Sequence, residues 1–227
     1  MKLTLLGVYG PFPAAGGGCS SYLVEDGDTH ILLDCGSGSL SRLLQRVPLT
    51  ALDAIVLSHM HADHAGEIDL YRYALEFGQG NAPLKVFAPE IGSLQKEAFA
   101  PVRTEPGMQI TIGSLTLRFF ESRHAVPTNG VRVTDKAGHA LVYTGDSAWM
   151  DSLVDAAKDA DLLLADACLA DESNPKALKN HMTGAQVLAL GRRANCKRVI
   201  LTHRFGANPT YSVDGGTFAE EGAVYEI

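Results

Sequence analysis

The sequence predicts an α/β protein with two β-sheets and helices on their outer sides. Short apolar runs alternate with turn signals early in the chain, whereas helical patterns alternate with strands later. No segment repeats at a fixed period, and no low-complexity linker divides the 227 residues. We therefore predict a single domain over residues 1–227.

Strands are predicted where an apolar run of suitable length ends in a turn or a polar residue. Such runs occupy residues 2–8, 20–26, 29–35, 53–59, 84–89, 108–113, 115–124, 161–168, 197–203 and 223–227, and a hairpin occupies 130–146.

Helices are predicted where apolar residues recur every three or four positions next to capping residues. These segments are 37–47, 65–77, 90–99, 150–160 and 183–194, the last with Thr183 as its N-cap.

Composition excludes several classes of function. The net charge of −7 argues against a general nucleic-acid binder, because such proteins present an excess of Lys and Arg. No apolar run reaches the roughly 18 to 20 residues of a membrane span, and the N-terminus does not resemble a signal peptide. We expect a cytoplasmic protein without a membrane partner, whose four cysteines, none in a C-x-x-C pair, are reduced thiols. The sequence leaves a homodimer open.

The segment HMHADH carries the strongest chemical signal in the chain. His59, His61, Asp63 and His64 lie within six positions at the end of an apolar run. Burying each polar group without a partner costs roughly 1 to 3 kcal/mol, so such a cluster does not belong in an ordinary core. Imidazole and carboxylate ligands suit zinc, and also manganese or iron.

Three more metal-competent residues follow predicted strands. His124, Asp146 and His203 each come after an apolar run, as His59 does. Loops at one end of a sheet would bring these side chains together on a rigid support.

Seven side-chain ligands exceed the needs of one ion, because a tetrahedral zinc takes four at most. The sequence therefore predicts two divalent metal ions, zinc in the first place, with Asp146 as the bridging carboxylate. Such ions lie about 3.5 to 4 Å apart and share a water.

These residues resemble the metallo-β-lactamase superfamily of metallohydrolases. The resemblance spans nearly the whole chain and is carried by LLDCGSG (32–38), HMHADH (59–64), SRH (122–124), YTGD (143–146) and LTH (201–203). It implies a four-layer αββα sandwich of two mixed β-sheets flanked by helices, with the site at one edge of the β layers.

The resemblance also implies how the ligands divide. One ion would be held by His59, His61 and His124, the other by Asp63, His64 and His203, with Asp146 between them. Asp34 would steady the ligand loop, and a simple turn cap before Gly36 is the alternative reading of that residue.

A closer resemblance is to the ribonuclease Z-like phosphodiesterases. It rests on Asp166 and on His181 with Thr183, although this branch usually has Glu where Asp166 stands. It implies a phosphodiesterase in which a metal-bridging hydroxide is the nucleophile. His181, oriented by Asp166, would act as general acid, and Asp63 would be both ligand and proton acceptor.

The tRNA-processing members of this branch carry a long substrate-binding arm, commonly between the third-histidine and bridging-aspartate motifs. Only 21 residues separate His124 from Asp146 here, enough for one hairpin. This argues against pre-tRNA and favours a small-molecule or short oligonucleotide phosphodiester. The alternatives left open are a thioesterase or lactonase on the same metal site, and a metal-binding regulatory protein without turnover.

Overall fold

Two seven-stranded β-sheets stack face to face in the computed structural model, which describes residues 1–208 and 210–227. The strands are β1 (Lys2–Gly7), β2 (Tyr9–Gly10), β3 (Ser21–Asp26), β4 (Thr29–Leu33), β5 (Ala54–Val56), β6 (Leu84–Ala88), β7 (Phe99–Arg103), β8 (Gln109–Ile112), β9 (Leu115–Glu121), β10 (Asn129–Thr134), β11 (Ala140–Tyr143), β12 (Leu162–Asp166), β13 (Val199–Thr202), β14 (Arg204–Phe205), β15 (Thr217–Phe218) and β16 (Val224–Glu226).

Five α-helices occur in the described part of the chain, and all are short. They are α1 (Ser39–Leu43), α2 (Ala62–Ala65), α3 (Ile68–Glu76), α4 (Ser152–Ala157) and α5 (Gly184–Arg193). Among the same residues, no helix is long and apolar enough to cross a membrane.

Both sheets are mixed. The first has the order β16-β1-β3-β4-β5-β6-β7 and is parallel from β4 to β7. The second has the order β15-β13-β12-β11-β10-β9-β8 and is parallel from β11 to β15. The carboxyl ends of each parallel set therefore lie at one edge of its sheet, the arrangement that places loop residues together.

Three apolar clusters produce the four predicted layers. The first lies between the sheets and includes Leu33 and Leu164, both fully buried. The second packs α1 and α3 on the first sheet through residues such as Leu43 and Tyr71. The third packs α4 and α5 on the second sheet. The predicted αββα sandwich is thereby confirmed.

The predicted helix over 90–99 is wrong. Only the single 3₁₀ turn Gly92–Leu94 forms there, and the next residues enter β7. Phe99 is 6% exposed in the core beneath the first sheet, so tertiary packing overrides the helical propensity of the preceding residues. Pro101 is tolerated because β7 ends the sheet and has a strand on one side only.

Candidate metal centre

The cluster after β5 forms because only five residues connect the end of this strand to the start of α2. Ser58 and His59 follow the strand as buried residues, and α2 begins three residues after His59. This short helix carries Asp63 and His64, so strand end and helix present their side chains toward the same point. His61 precedes the helix and is partly exposed.

Three histidines from two segments converge on one point. Nδ1 of His61 lies 3.1 Å from Nε2 of His59 and 3.1 Å from Nε2 of His124. The ligand atoms of this triad all lie within 4.8 Å of one another. Nδ1 of His124, the nitrogen facing away, lies 3.1 Å from the carbonyl oxygen of Asn180 and is placed to donate to it.

A second group of ligand atoms lies beside the first. Nε2 of His203 lies 3.0 Å from Oδ2 of Asp63, and the set Asp63, His64, Asp146 and His203 satisfies the same 4.8 Å limit.

Asp146 faces both groups. Its Oδ1 lies 3.1 Å from Nε2 of His64 and 3.3 Å from Nε2 of His203. Its Oδ2 lies 3.9 Å from Nε2 of His59 and 3.7 Å from Nε2 of His124. One carboxylate thus presents one oxygen to each group.

The residues fit divalent cations, because some of their polar atoms lack a satisfied hydrogen bond among the described residues. Nδ1 of His61 faces Nε2 of both His59 and His124. It can carry only one proton, so one of these two nitrogens is left without a hydrogen-bond donor. Nε2 of His64 and Oδ1 of Asp146 are buried without a hydrogen bond of acceptable geometry among the described residues. A cation at each group would give these atoms a partner.

The shifted pKa values of the candidate ligands also agree with bound cations. Burial lowers the pKa of His59 and of His124, which favours the neutral imidazole that binds metals. Burial alone would raise the pKa of Asp146, but the neighbouring His203 and His64 hold it well below its usual value. Burial alone would lower the pKa of His64, yet the carboxylates of Asp146 and Asp34 raise it well above normal. The carboxylates around His64 therefore favour a positive charge at this place in the centre.

Asp34 contacts the candidate ligand His64 on the side of the ring that faces away from Asp146. Its Oδ2 lies 2.7 Å from Nδ1 of His64 and accepts hydrogen bonds from Tyr143 Oη (2.6 Å) and Ser58 Oγ (2.8 Å). Its Oδ1 accepts from the backbone N–H of Ser58 at 2.7 Å. Of the two readings of Asp34 from sequence, this geometry supports the ligand-steadying one.

Sequence reasoning missed Tyr143, and it assigned Ser58 no part in steadying the candidate ligands. Tyr143 belongs to the YTGD segment, and Ser58 directly precedes the first histidine of the cluster. Their positions next to ligand motifs were the available signal, but only the stacking of the two sheets brings Tyr143 to Asp34.

The backbone at the centre is strained in two places. Asp34 and His203 have φ values of 58° and 57°, the left-handed region that residues other than glycine rarely adopt. Each directly follows the last residue of its strand, where the strained turn aims the side chain into the centre. Gly10 lies against His203: a Cβ there would be 1.9 Å from Nε2, so only glycine fits without movement.

His181 and Asp166 form a pair at the exposed side of the centre. Nδ1 of His181 lies 2.9 Å from Oδ2 of Asp166 and 3.8 Å from Oδ2 of Asp146. Asp166 ends β12 and is fully buried, whereas the His181 side chain is 18% exposed. Burial alone would lower the pKa of His181, but the Asp166 carboxylate raises it to about 9.

The capping box of α5 fixes the segment that carries His181. The Thr183 side chain accepts from the N–H of Gln186, and the Gln186 side chain accepts from the N–H of Thr183. The predicted N-cap is confirmed. The structure thus brings all seven predicted metal ligands and the His181–Asp166 pair into one region.

Comparison with known proteins identifies relatives over the whole chain. The profile described as "Beta-lactamase superfamily domain" matches residues 29–204. The "Probable metallo-hydrolase YhfI" of Bacillus subtilis (strain 168) is 34% identical over 246 residues, covering all of both chains. The crystal structure of the metallo-beta-lactamase fold protein YhfI from Bacillus subtilis superposes with a TM-score of 0.86 at 29% identity, covering 99% of this chain and 98% of the other.

Ribonuclease Z proteins are also similar. That of Methanosarcina acetivorans is 23% identical over 265 residues, covering 89% of this chain and 87% of its own length.

Proposed function

Because the chain belongs to the β-lactamase superfamily and is a metallo-hydrolase, we propose that it is a dinuclear phosphodiesterase acting on small or short oligonucleotide phosphodiesters. The residues matched by the family profile include all seven candidate ligands, from His59 to His203. We further propose that residues 1–227 act as one hydrolase domain.

The observation that carries the proposal is the position of Asp146. Its two oxygens face different ligand groups, at 3.1 Å from His64 and 3.7 Å from His124. A carboxylate placed in this way is suited to bridging two ions. His59, His61 and His124 would hold one ion, and Asp63, His64 and His203 would hold the other.

Two divalent ions would supply positive charge that acidifies a water and neutralises the oxygens of a phosphodiester. Zinc suits these nitrogen and oxygen donors, as manganese or iron would. The chain itself keeps the donors in place through Asp34. Asp63, at the rim of the buried cluster with 8% exposure, would also accept a proton.

His181 is placed to serve the leaving group. It is the most exposed histidine among those that face Asp146, and the buried Asp166 carboxylate holds its Nδ1. Among the described residues no hydrogen bond holds its other ring nitrogen, which is placed to donate a proton to a departing alkoxide. A phosphodiester with a poor leaving group needs such an acid.

The substrate scope follows from the segment between His124 and Asp146. It forms only β10 and β11 with their connections, so it offers no long arm to a folded RNA. We therefore propose small substrates rather than pre-tRNA.

Hydrolysis of bis-p-nitrophenyl phosphate by protein loaded with zinc or manganese tests the proposal. We expect turnover that requires metal and is lost in His59→Ala. A thioester and a lactone are assayed in parallel. Turnover of either, with none of the phosphodiester under any metal, would replace phosphodiesterase with thioesterase or lactonase. No turnover of any of the three would favour the non-catalytic alternative.

A further inference from the structure

A groove of about 650 Å³ lies beside the candidate metal centre, next to the ends of β7 and β9. His124, a proposed ligand, is one of its lining residues. One wall is the end of β7 with Arg103, and the other is the segment after β9 with Arg123. We call it the arginine groove. His124 connects it to the triad, whose other members, His59 and His61, do not line the groove.

The floor of the arginine groove is rigid and tied to the ligand segment. The Asn129 side-chain amide donates to Oγ1 of Thr104 at 2.9 Å and to its carbonyl oxygen at 3.2 Å. The backbone N–H of Asn129 donates to the carbonyl oxygen of Ser58, the residue before His59, at 3.0 Å. Thr104 and Asn129 are 2% and 6% exposed, so these hydrogen bonds are shielded from water.

The two guanidinium groups of the groove are unengaged. Within the described residues, neither the Arg103 nor the Arg123 side chain makes a hydrogen bond or ion pair, and both residues are exposed. Arg72, by comparison, is held by Asp69 and Glu76.

Two carboxylates line the same groove. Glu105 and Glu121 balance the formal charge of the arginines, so the groove does not attract anions at long range. Recognition there depends on direct contact. A planar guanidinium matches phosphate oxygens in a bidentate geometry that lysine lacks.

We propose that Arg103 and Arg123 bind a second phosphate of the substrate, one linkage away from the phosphodiester that is cleaved. This inference rests on the proposed function and narrows its substrate class to nucleotide esters with more than one phosphate. The metal centre binds the scissile phosphodiester, and the arginine groove selects substrates that continue into another phosphate.

Matched dinucleotides test the inference. Thymidylyl-thymidine (TpT) has one internal phosphodiester, and pTpT and TpTp each add one terminal phosphate. We expect kcat/KM for pTpT or TpTp to exceed that for TpT about tenfold, mainly through KM, since an exposed charge-assisted contact contributes modestly. In the Arg103→Ala/Arg123→Ala double variant this ratio falls to about one. The variants Arg103→Lys and Arg123→Lys keep the positive charge, and they should retain part of the preference for a terminal phosphate.

Arg118→Ala is the matched control, since Arg118 is an exposed arginine on β9 that does not line the arginine groove. It should leave the ratio unchanged. The inference is overturned if the wild-type protein treats the three dinucleotides alike, if the double variant keeps the preference, or if the double variant loses activity on all three equally.

Binding separates this inference from the proposed function. In non-hydrolysable analogues a CH₂ group replaces the leaving oxygen of each dinucleotide. Calorimetry should show tighter binding with the terminal phosphate, and this gain should vanish in the double variant. If no phosphodiester is hydrolysed but a terminal phosphate still tightens binding, the proposed phosphodiesterase activity is wrong. The arginine groove is then still supported as a phosphate-binding site. If hydrolysis occurs without the gain, only the groove assignment fails.

Discussion

Oδ2 of Asp34 lies 2.7 Å from Nδ1 of His64, on the side of the ring opposite the nitrogen that faces Asp146. The imidazole is therefore held between two carboxylates, both buried. This contact fixes which nitrogen of His64 carries the proton and leaves Nε2 for a metal. The position of a candidate ligand thus depends on a residue 30 positions earlier in the chain.

Replacing Asp34 with Asn should weaken metal binding without abolishing it. The variant keeps the side-chain shape but places an N–H₂ donor among groups that already donate. Loss of such outer partners lowers metal affinity about 10- to 100-fold. Zinc affinity is measured by competition with a chromogenic chelator, with Asp69→Asn, an exposed aspartate on α3, as control. An unchanged affinity in Asp34→Asn would restore the turn-cap reading.

Asp146→Ala should reduce bound metal below two ions per chain, because the substitution removes the carboxylate that faces both ligand groups. Metal content is measured by plasma mass spectrometry after equilibration with zinc. Asp151→Ala, whose carboxylate is 79% exposed and lies 3.0 Å from Arg193, serves as the control. Two ions per chain in Asp146→Ala would contradict the bridging role.

Removing metal should destabilise the fold, because binding to the native state alone adds stability by mass action. A ligand at 100 times its Kd contributes about 2.7 kcal/mol, and for a chain of this size each kcal/mol shifts Tm by about 2 to 4 °C. We expect a chelator to lower Tm by roughly 5 °C or more and added zinc to restore it. Calorimetric scans that superimpose with and without the chelator would argue against resident metal.

The gathering of the seven candidate ligands in one region could be predicted because their signal is local. Each lies directly after a buried apolar run or in the turn that follows one, and a polar residue in that setting has few structural explanations. His124 and His203 illustrate this: both were identified from the strand before them. Convergence then follows because these strands end at the same edge: β9 is antiparallel to β10, but it runs in the same direction as β11.

The contact between Tyr143 and Asp34 could not be predicted, because it depends on how the sheets stack. Asp34 follows a strand of the first sheet and Tyr143 belongs to the second, and no local pattern links them. The helix predicted over 90–99 fails for a related reason. Pairing with β6 and burial of Phe99 decide that segment, and both are non-local.

Stability should fall above about pH 9, in part through Cys19. Burial, with a further contribution from Asp63, raises the pKa of this thiol from about 9 to about 11. The folded chain therefore holds the proton more tightly than the unfolded chain. The resulting stability is fully present below pH 9 and is lost as the pH rises toward 11.

Urea denaturation between pH 8 and 11 measures this effect. Cys19→Ala and Cys19→Ser do not titrate at this position, so their free energy of unfolding should decline less steeply than that of the wild type. Any constant cost of the substitution cancels in the slope. Parallel curves for the wild type and both variants would show that Cys19 does not contribute.

Replacing His181 with Ala should separate catalysis from metal binding. His181 contacts Asp166 at 2.9 Å but is not among the seven proposed ligands, so both ions should remain. Loss of a general acid slows turnover about 10²- to 10⁴-fold when the leaving group is poor. A dinucleotide, whose leaving group is a nucleoside alkoxide, should show this loss.

The leaving group provides the control for His181. p-Nitrophenolate departs without a proton, so bis-p-nitrophenyl phosphate should be hydrolysed by His181→Ala at a rate close to that of the wild type. Asp166→Asn should show the same pattern more weakly, since it orients His181 and does not donate. His139→Ala removes a histidine side chain that is 47% exposed and paired with Asp135, and should change neither rate. Equal losses on both substrates, or none, would exclude a general-acid role for His181.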